Sequence, residues 1–585
     1  MDELQYYVPV KYDDILSSLD IVIPIISDIF GPSDGKVLMT TGTGTVNITS
    51  DGTSVLKSLS LTHPVARVII EICAFHHSKY GDGAKSCFLM IHAGFSALCQ
   101  NKHSLCVNRS SKIYLSSKQQ IIMSLNWFKD IILGSNQFEQ WLVDTLAFRI
   151  ILNENLNSEI LQVMHSIVLT SLIGKFSKPA AESLAHLILE MVEKLNMTSL
   201  NLIQTINRTI KYFEEIVVEN HGALLQENKV LNGIVMPLQL PDTFKCYDQY
   251  VNAVLVQWND ELRPDTETHL NFKKNLDKIN FFSYPSMVMQ DWIKNVLKAN
   301  VSIIFHQGKA KESFKCICEE YDVGLLDCLT VEQTQYISNV LKIQPLYDIT
   351  DVVSKANITT VKVEEIQLVS CFYVVITLMP VESDTLSSNS VVSVLVCSPS
   401  PGLCSQYKTA MYNALLCLQH WIHVKEDVKK HSDKCILEGR AISGGGFLPL
   451  VLHTVFSDLT LLQAVLSDLK WSQQMLSSYE SAKEIICKML IIIPKTLHKN
   501  APCIKDRNSR FIQHLIKTKA DLIKSCDIFT PSDSNVFTKT SRNERNLLEP
   551  LKSQIANFSN AIDGIIQVLK VDDVISIKSP QHHEK

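Results

Sequence analysis

Ile48-Thr49-Ser50-Asp51-Gly52-Thr53-Ser54 and Tyr80-Gly81-Asp82-Gly83-Ala84-Lys85-Ser86 are the two stretches whose reading decides the fold. The first closes a Thr/Val/Ile-rich strand pattern, and the second opens an apolar helical run at Cys87-Phe88-Leu89-Met90. Glycine at a helix start frees backbone N–H groups to meet an anion, and an aspartate beside it can hold a divalent cation. Joined by one short helix, the two turns are expected to converge on a nucleotide phosphate and its metal. The plainer alternative is that both turns serve only backbone geometry.

Working outward, Gly31-Pro32 precedes the first turn and Thr62-His63-Pro64-Val65-Ala66 lies between the two. Pro64 suits the first turn of a helix, with Val65, Val68, Ile69, Ile72 and Cys73 on one apolar stripe. A short hairpin is expected around Val37 to Thr49, and helices continue to about Phe213. The period then changes. Val230 to Met236, Val301 to Phe305 and Val323 to Leu326 read as strands between helices, an α/β block. Helices return after Pro401, and Ile555, Phe558, Ile562, Ile565 and Leu569 stripe the last one.

Composition fits several packed cores. The chain has 585 residues, 46% of them hydrophobic, and a formal net charge of −5, which argues against disorder and against a nucleic-acid surface. No apolar run approaches the roughly 18 residues that span a bilayer. Met1-Asp2-Glu3-Leu4 lacks the basic start of a secretion signal, so a cytosolic chain is expected. The 16 cysteines are scattered, and Cys316-Ile317-Cys318 is too tight for a usual zinc knuckle, so reduced, mostly buried thiols are expected.

The order of blocks resembles the group II chaperonins, whose equatorial segment reads GPxG, NDGAT, EHPAA and GDGTTT. Thr170-Ser171-Leu172-Ile173-Gly174-Lys175 is similar to that family's TSLTGK, Gly444-Gly445-Gly446 to its GGGA turn, and Ile493-Pro494-Lys495-Thr496-Leu497 with Asn500-Ala501 to IPRTL and NA. Glu549-Pro550-Leu551-Lys552 and Val571-Asp572-Asp573-Val574-Ile575 resemble EPLK and IDDVI. His63-Pro64-Val65-Ala66-Arg67 and Gly81-Asp82-Gly83-Ala84-Lys85 are most similar to the Bardet–Biedl syndrome chaperonin-like branch.

The resemblance implies a mostly helical α+β multidomain fold. Its parts would be an equatorial domain from residues 1–152 and 438–585, an intermediate domain from 153–216 and 371–437, and an α/β apical domain over 217–370. An apical protrusion would fall near residues 261–285. ATP and Mg2+ are the implied cofactors, with Asp82 as magnesium ligand and Asp51 positioning the attacking water. Gly31, Pro32, Asp51, Gly52, Gly81, Asp82, Gly83, Lys85, Ser86, Gly445 and Glu544 are the implied nucleotide-binding residues; Lys85 would touch phosphate or else be a solvated lysine at the helix start, and Glu544 would meet the ribose or else be an exposed loop carboxylate.

This chain also departs from the pattern. In the run Lys408 to Leu415, Asn413 stands where the family has the aspartate that acts on the hydrolytic water. An amide cannot carry the charge that activates water, and losing a general base costs about 10²–10⁴ in rate. Asp34 replaces a glycine of the first loop, and Pro449 stands where a glutamate would follow the GGG turn. The implied role is a weakly or non-hydrolysing assembly factor. Its partners would be other chaperonin subunits and, as clients, components of the BBSome, in the cytoplasm at the ciliary base or centrosome. An active folding-ring ATPase and a nucleotide-free scaffold are the alternatives.

Overall fold

The computed structural model describes residues 6–9, 11–31, 35–40, 46–59, 61, 63–105, 111–152, 157–196, 202–238, 240, 249–258, 275–349, 351–368, 371–379, 391–425, 436–500, 513, 517 and 547–576. Pro32, Asp34, Glu544 and residues 261–274 of the expected protrusion lie outside them, while its remainder, 275–285, falls in the helix Asn275–Lys298. The chain divides into two compact units, one built from Met1–His186 with Thr409–Lys585 and one from Leu187–Lys408.

The first unit is helical. Its core joins side chains from the helices Pro64–Tyr80, Ala84–Leu105, Phe447–Ser457, Gln473–Asn500 and Leu551–Lys570. The stripe expected on the last helix is there: Phe558, Ile562, Ile565 and Leu569 are buried and Ile555 is partly so. Each such side chain is worth about 1.5–3 kcal/mol on burial. Gly94 makes the seat for Ile565, since a Cβ there would lie 2.2 Å from its Cδ1. The stripe expected on Pro64–Tyr80 is corrected. Val68 is exposed and Ile72 only partly buried, whereas Ala66, Ile70, His76, His77 and Tyr80 are buried beside Val65, Ile69 and Cys73.

Strands complete this unit. Val37–Thr40 pairs antiparallel with Val46–Thr49, the expected hairpin. Ile436–Ser443 pairs with Phe148–Leu152, Ile422–Lys425 and Leu548–Pro550. Tyr6–Pro9 pairs with Asp573–Ser576. Two helices, Gly52–Ser58 and Pro64–Tyr80, separate the two Asp-Gly turns, not one.

The second unit is α/β. Gly324–Leu329, Val301–Gln307 and Val251–Val256 run parallel, the helices Asn275–Lys298 and Glu312–Glu320 lying between them in sequence. Ile358–Leu368, Cys371–Leu378 and Ile234–Met236 extend that sheet antiparallel. Val217–His221, Val392–Ser398 and Lys229–Asn232 form a separate sheet. Val230 to Met236 is therefore two strands in two sheets. Gly233, at φ 114°, makes the break, and a Cβ there would meet the Ile376 carbonyl at 2.6 Å.

Among the described residues no single helix is long and apolar enough to cross a membrane. The described cysteines are free thiols, with Cys316 and Cys328 exposed.

Candidate nucleotide site

Asp51 is the N-cap of Gly52–Ser58: its Oδ2 accepts from the Ser54 N–H and the Ser54 hydroxyl, both at 2.8 Å. That is a structural duty, of about 1 kcal/mol. Its other oxygen, Oδ1, lies 3.8 Å from His77 Nε2. Burial pushes the Asp51 carboxyl up, but His77, Lys175 and the Ser54 bonds outweigh it, and the group ends below the usual carboxylate range.

The second turn ends one helix and begins another. Gly81 closes Pro64–Tyr80 in the left-handed region at φ 80°, its N–H donating to the His77 carbonyl at 2.7 Å. Only glycine fits there, since a Cβ would lie 2.1 Å from the Asn413 carbonyl oxygen. Gly83, at φ 97°, is equally confined: a Cβ would stand 2.7 Å from His76 Nε2. The turn thus holds Asp82 with its side chain 51% exposed, and Lys175 Nζ lies 3.7 Å from its Oδ1. Here too burial raises the carboxyl, and Lys175, His77, the Gly83 N–H and Lys85 bring it below its ordinary value. Lys175 is itself held above the ordinary lysine value, because Asp82 and Asp51 more than offset its burial. The result is an ionised carboxylate facing outward with an ammonium beside it.

Lys85 does something the sequence did not suggest. Its Nζ donates to the carbonyls of Ile29 at 2.8 Å and Ser50 at 3.3 Å. Its stem crosses Gly52, where a Cβ would come within 2.3 Å of Lys85 Cγ. The ammonium therefore ties the segments before both Gly31 and Asp51 together. Burial and the charge of Lys175 lower it to about 8. Ser86 is likewise engaged, donating to the Gly83 carbonyl at 3.0 Å and accepting from Asn557 Nδ2 at 2.7 Å.

Gly31 stands at φ 115°. Asn500 anchors the segment before it, its Nδ2 donating to Ser27 O at 2.5 Å and Phe30 O at 2.6 Å. Gly445, at φ 71°, has open space where a Cβ would be, and beside it Glu549 accepts a hydrogen bond from the Gly445 N–H. Burial, then the charge of Asp82, pushes Glu549 up to about 7. Pro449 falls in the first turn of the Phe447–Ser457 helix.

Asn413 is buried on the Pro401–Trp421 helix, and its Nδ2 lies 3.1 Å from His77 Nε2. An amide nitrogen only donates, so Nε2 accepts and the ring proton sits on Nδ1, which is buried without a partner among the described residues. His77 is held below its ordinary value by burial and then by Lys175. A neutral imidazole therefore occupies the space between Asn413 and Asp51.

Asp51, Gly52, Asp82, Lys85 and Lys175 are thus brought together, as are Gly81 with Asn413 and Gly83 with Ser86. His76, His77, Asn557 and Glu549 were missed as site residues. The His76-His77 pair, three residues ahead of the Gly81 turn, was the signal available. The donor set fits magnesium and a nucleotide: Mg2+ is usually bound by one or two carboxylates with phosphates and water, and Asp82 supplies such a carboxylate. Thr53 Oγ1 and Asn557 Oδ1 are buried without partners among the described residues, as at a site shaped for a polar ligand. Bound magnesium would neutralise phosphate charge; Asp82 would hold it, and Lys175 would face the phosphates.

The sequence model of the TCP-1/cpn60 chaperonin family matches residues 24–106 and 131–579, and the chain belongs to that family. A thermosome subunit of Methanothermococcus thermolithotrophicus is 19% identical over 565 residues, covering 93% of this chain and 88% of the relative. T-complex protein 1 subunit alpha of Tetrahymena pyriformis is 20% identical, covering 96% and 93%. The same subunit of Arabidopsis thaliana is 21% identical, covering 94% and 92%.

Proposed function

We propose that this chain is a chaperonin-like assembly factor that binds Mg·ATP at Asp82 and hydrolyses it weakly or not at all. The observation that carries this reading is Asn413. Its amide is spent on His77 at 3.1 Å, and it has no charge with which to activate water. The nucleotide would lie against Gly31, Gly52, Gly81, Asp82, Gly83 and Gly445, with Lys85 and Ser86 bracing the turns. The five-segment equatorial, intermediate and apical layout belongs to this proposal.

The finer reading places the chain in the Bardet–Biedl syndrome chaperonin-like branch, most similar to Bardet–Biedl syndrome protein 10. It rests on the His63 to Arg67 and Gly81 to Lys85 blocks. On it, the chain acts with other chaperonin subunits to assemble the BBSome for ciliary traffic, in the cytoplasm at the ciliary base.

Nucleotide binding and turnover with magnesium, measured on the full chain beside Asp82→Ala and Asn413→Asp, test the proposal. Binding lost in Asp82→Ala, with little turnover until Asn413→Asp restores it, is the expected result. Brisk turnover by the unaltered chain, or no binding at all, overturns it.

A further inference from the structure

The parallel pairing of Val217–His221 with Val392–Ser398 sets Glu219 opposite Val396 and His221 opposite Ser398. Glu219 and His221 are two residues apart on a strand, so their side chains share one face of the sheet. Asn220, between them, is buried. The chain leaves Ser398, turns, and enters the helix Pro401–Trp421, whose first turn carries Cys404. Cys404 is fully buried, with its Sγ 3.2 Å from the Val396 carbonyl it donates to. One carboxylate oxygen, one imidazole nitrogen and this sulfur all lie within 4.8 Å of one another.

Two further observations make this more than a chance grouping. His221 Nδ1 is buried with no hydrogen-bond partner among the described residues; such an orphan is unfavourable until something meets it. The Glu219 carboxylate is also already oriented. Its Oε1 lies 3.9 Å from Lys408 Nζ, leaving Oε2 toward His221 Nε2 at 3.8 Å. Lys408 is fixed in turn by Glu214 at 2.6 Å. An outer partner that aims a ligand in this way is a regular part of metal sites.

We infer that Glu219, His221 and Cys404 form a zinc site, independent of the nucleotide site. Thiolate, imidazole and carboxylate together suit Zn2+, whose bonds of about 2.0–2.3 Å in a tetrahedron put ligand atoms roughly 3.3–3.8 Å apart. Closing from the present spacing needs a shift of about 1 Å, within the reach of rotamer changes at Glu219 and His221. Three protein donors leave the fourth position to water. Glu219 and His221 also line a cavity of about 610 Å3, with Tyr336, Tyr373 and Lys408 on its wall. The metal would therefore stand at the edge of a space large enough for a small molecule or a peptide side chain. On binding, the Cys404 proton goes to solvent and the sulfur ligates as thiolate.

The test is metal titration of the chelator-stripped full chain. Zinc is competed against a chromophoric chelator, and Co2+ is added separately to look for a thiolate-to-cobalt charge-transfer band. One equivalent of zinc is expected. Cys404→Ser should abolish the cobalt band. His221→Ala should weaken zinc by more than about a hundredfold, since even outer partners are worth 10–100-fold. His221 is 41% exposed, so that variant is expected to fold even where Cys404→Ser does not. Cys328→Ser, an exposed thiol elsewhere, should keep both signals. No stoichiometric zinc, or zinc and cobalt signals unchanged in His221→Ala, would overturn the assignment.

Discussion

Lowering the pH from 7 to 5 should loosen the helical unit through His76, which is buried at 1% exposure behind the Gly81–Gly83 turn. Its ring stacks on Tyr80 at 4.8 Å, and its Nδ1 accepts from Asn560 Nδ2 at 2.8 Å. Protonating Nδ1 would set two donors against each other. Burial lowers His76 from 6.5 to about 4; Asp82 pulls the other way, while His77, His420 and Lys79 add to the lowering. The unfolded chain takes up this proton as pH falls through 6.5, but the folded chain resists until near 4. Across that window the unfolded state binds more protons, so stability rises with pH, is fully present above 6.5, and is lost on acidification.

A gap from 6.5 to about 4 corresponds to about 3 kcal/mol, of which about 2 kcal/mol falls between pH 7 and pH 5. Guanidinium unfolding at the two pH values measures it, with hydrogen exchange of the Pro64–Tyr80 segment reading this unit alone. In His76→Gln the pH 7 stability falls through lost packing, but the loss between pH 7 and pH 5 should shrink by about 2 kcal/mol. Other buried histidines titrate in both proteins and cancel in this difference. Equal pH losses in the two proteins, within about 0.5 kcal/mol, would refute the reasoning.

Gly81→Ala forces a Cβ into the left-handed region and to 2.1 Å from the Asn413 carbonyl. It should cost about 2–4 kcal/mol in thermal unfolding, while Gly402→Ala, with nothing within 4 Å, should be near neutral. Asn500→Ala strands the Ser27 and Phe30 carbonyls that its amide now meets. Chemical denaturation should show a loss of about 1–3 kcal/mol, and calorimetry a weaker nucleotide affinity as the Gly31 loop loosens.

The Gly81–Gly83 turn, the Asp51 helix start, the hairpin before it and the last helix were legible because each is a local pattern: positive-φ glycines, an N-cap aspartate, a period of two, a period of 3.6. The stripe on Pro64–Tyr80 was only half legible. That helix is packed by both Ala84–Leu105 and Leu551–Lys570, so burial spreads beyond one face to Ile70, His76 and His77. Lys85 read as a phosphate contact because its position in the turn suggested one. Its actual partners, Ile29 and Ser50, lie 56 and 35 residues away, and no local pattern reports that. The pairing of Asn413 with His77 spans 336 residues and was invisible for the same reason. Asn413 itself was legible only as a departure from a resembled motif.

The helical unit is assembled from Met1–His186 and Thr409–Lys585, and its first strand, Tyr6–Pro9, pairs with Asp573–Ser576. A ribosome adds about 5–20 residues per second. Between the end of the first piece at His186 and Ile565 the ribosome must make residues 187–565, which takes about 20–75 seconds. For that time Phe88, Phe95 and Ile91 on the Ala84–Leu105 helix lack the Ile565 side chain that completes their core, and for most of it they lack Met489 too. A member of a chaperone family thus has a newborn half whose apolar core faces wait many seconds for partners encoded hundreds of residues later.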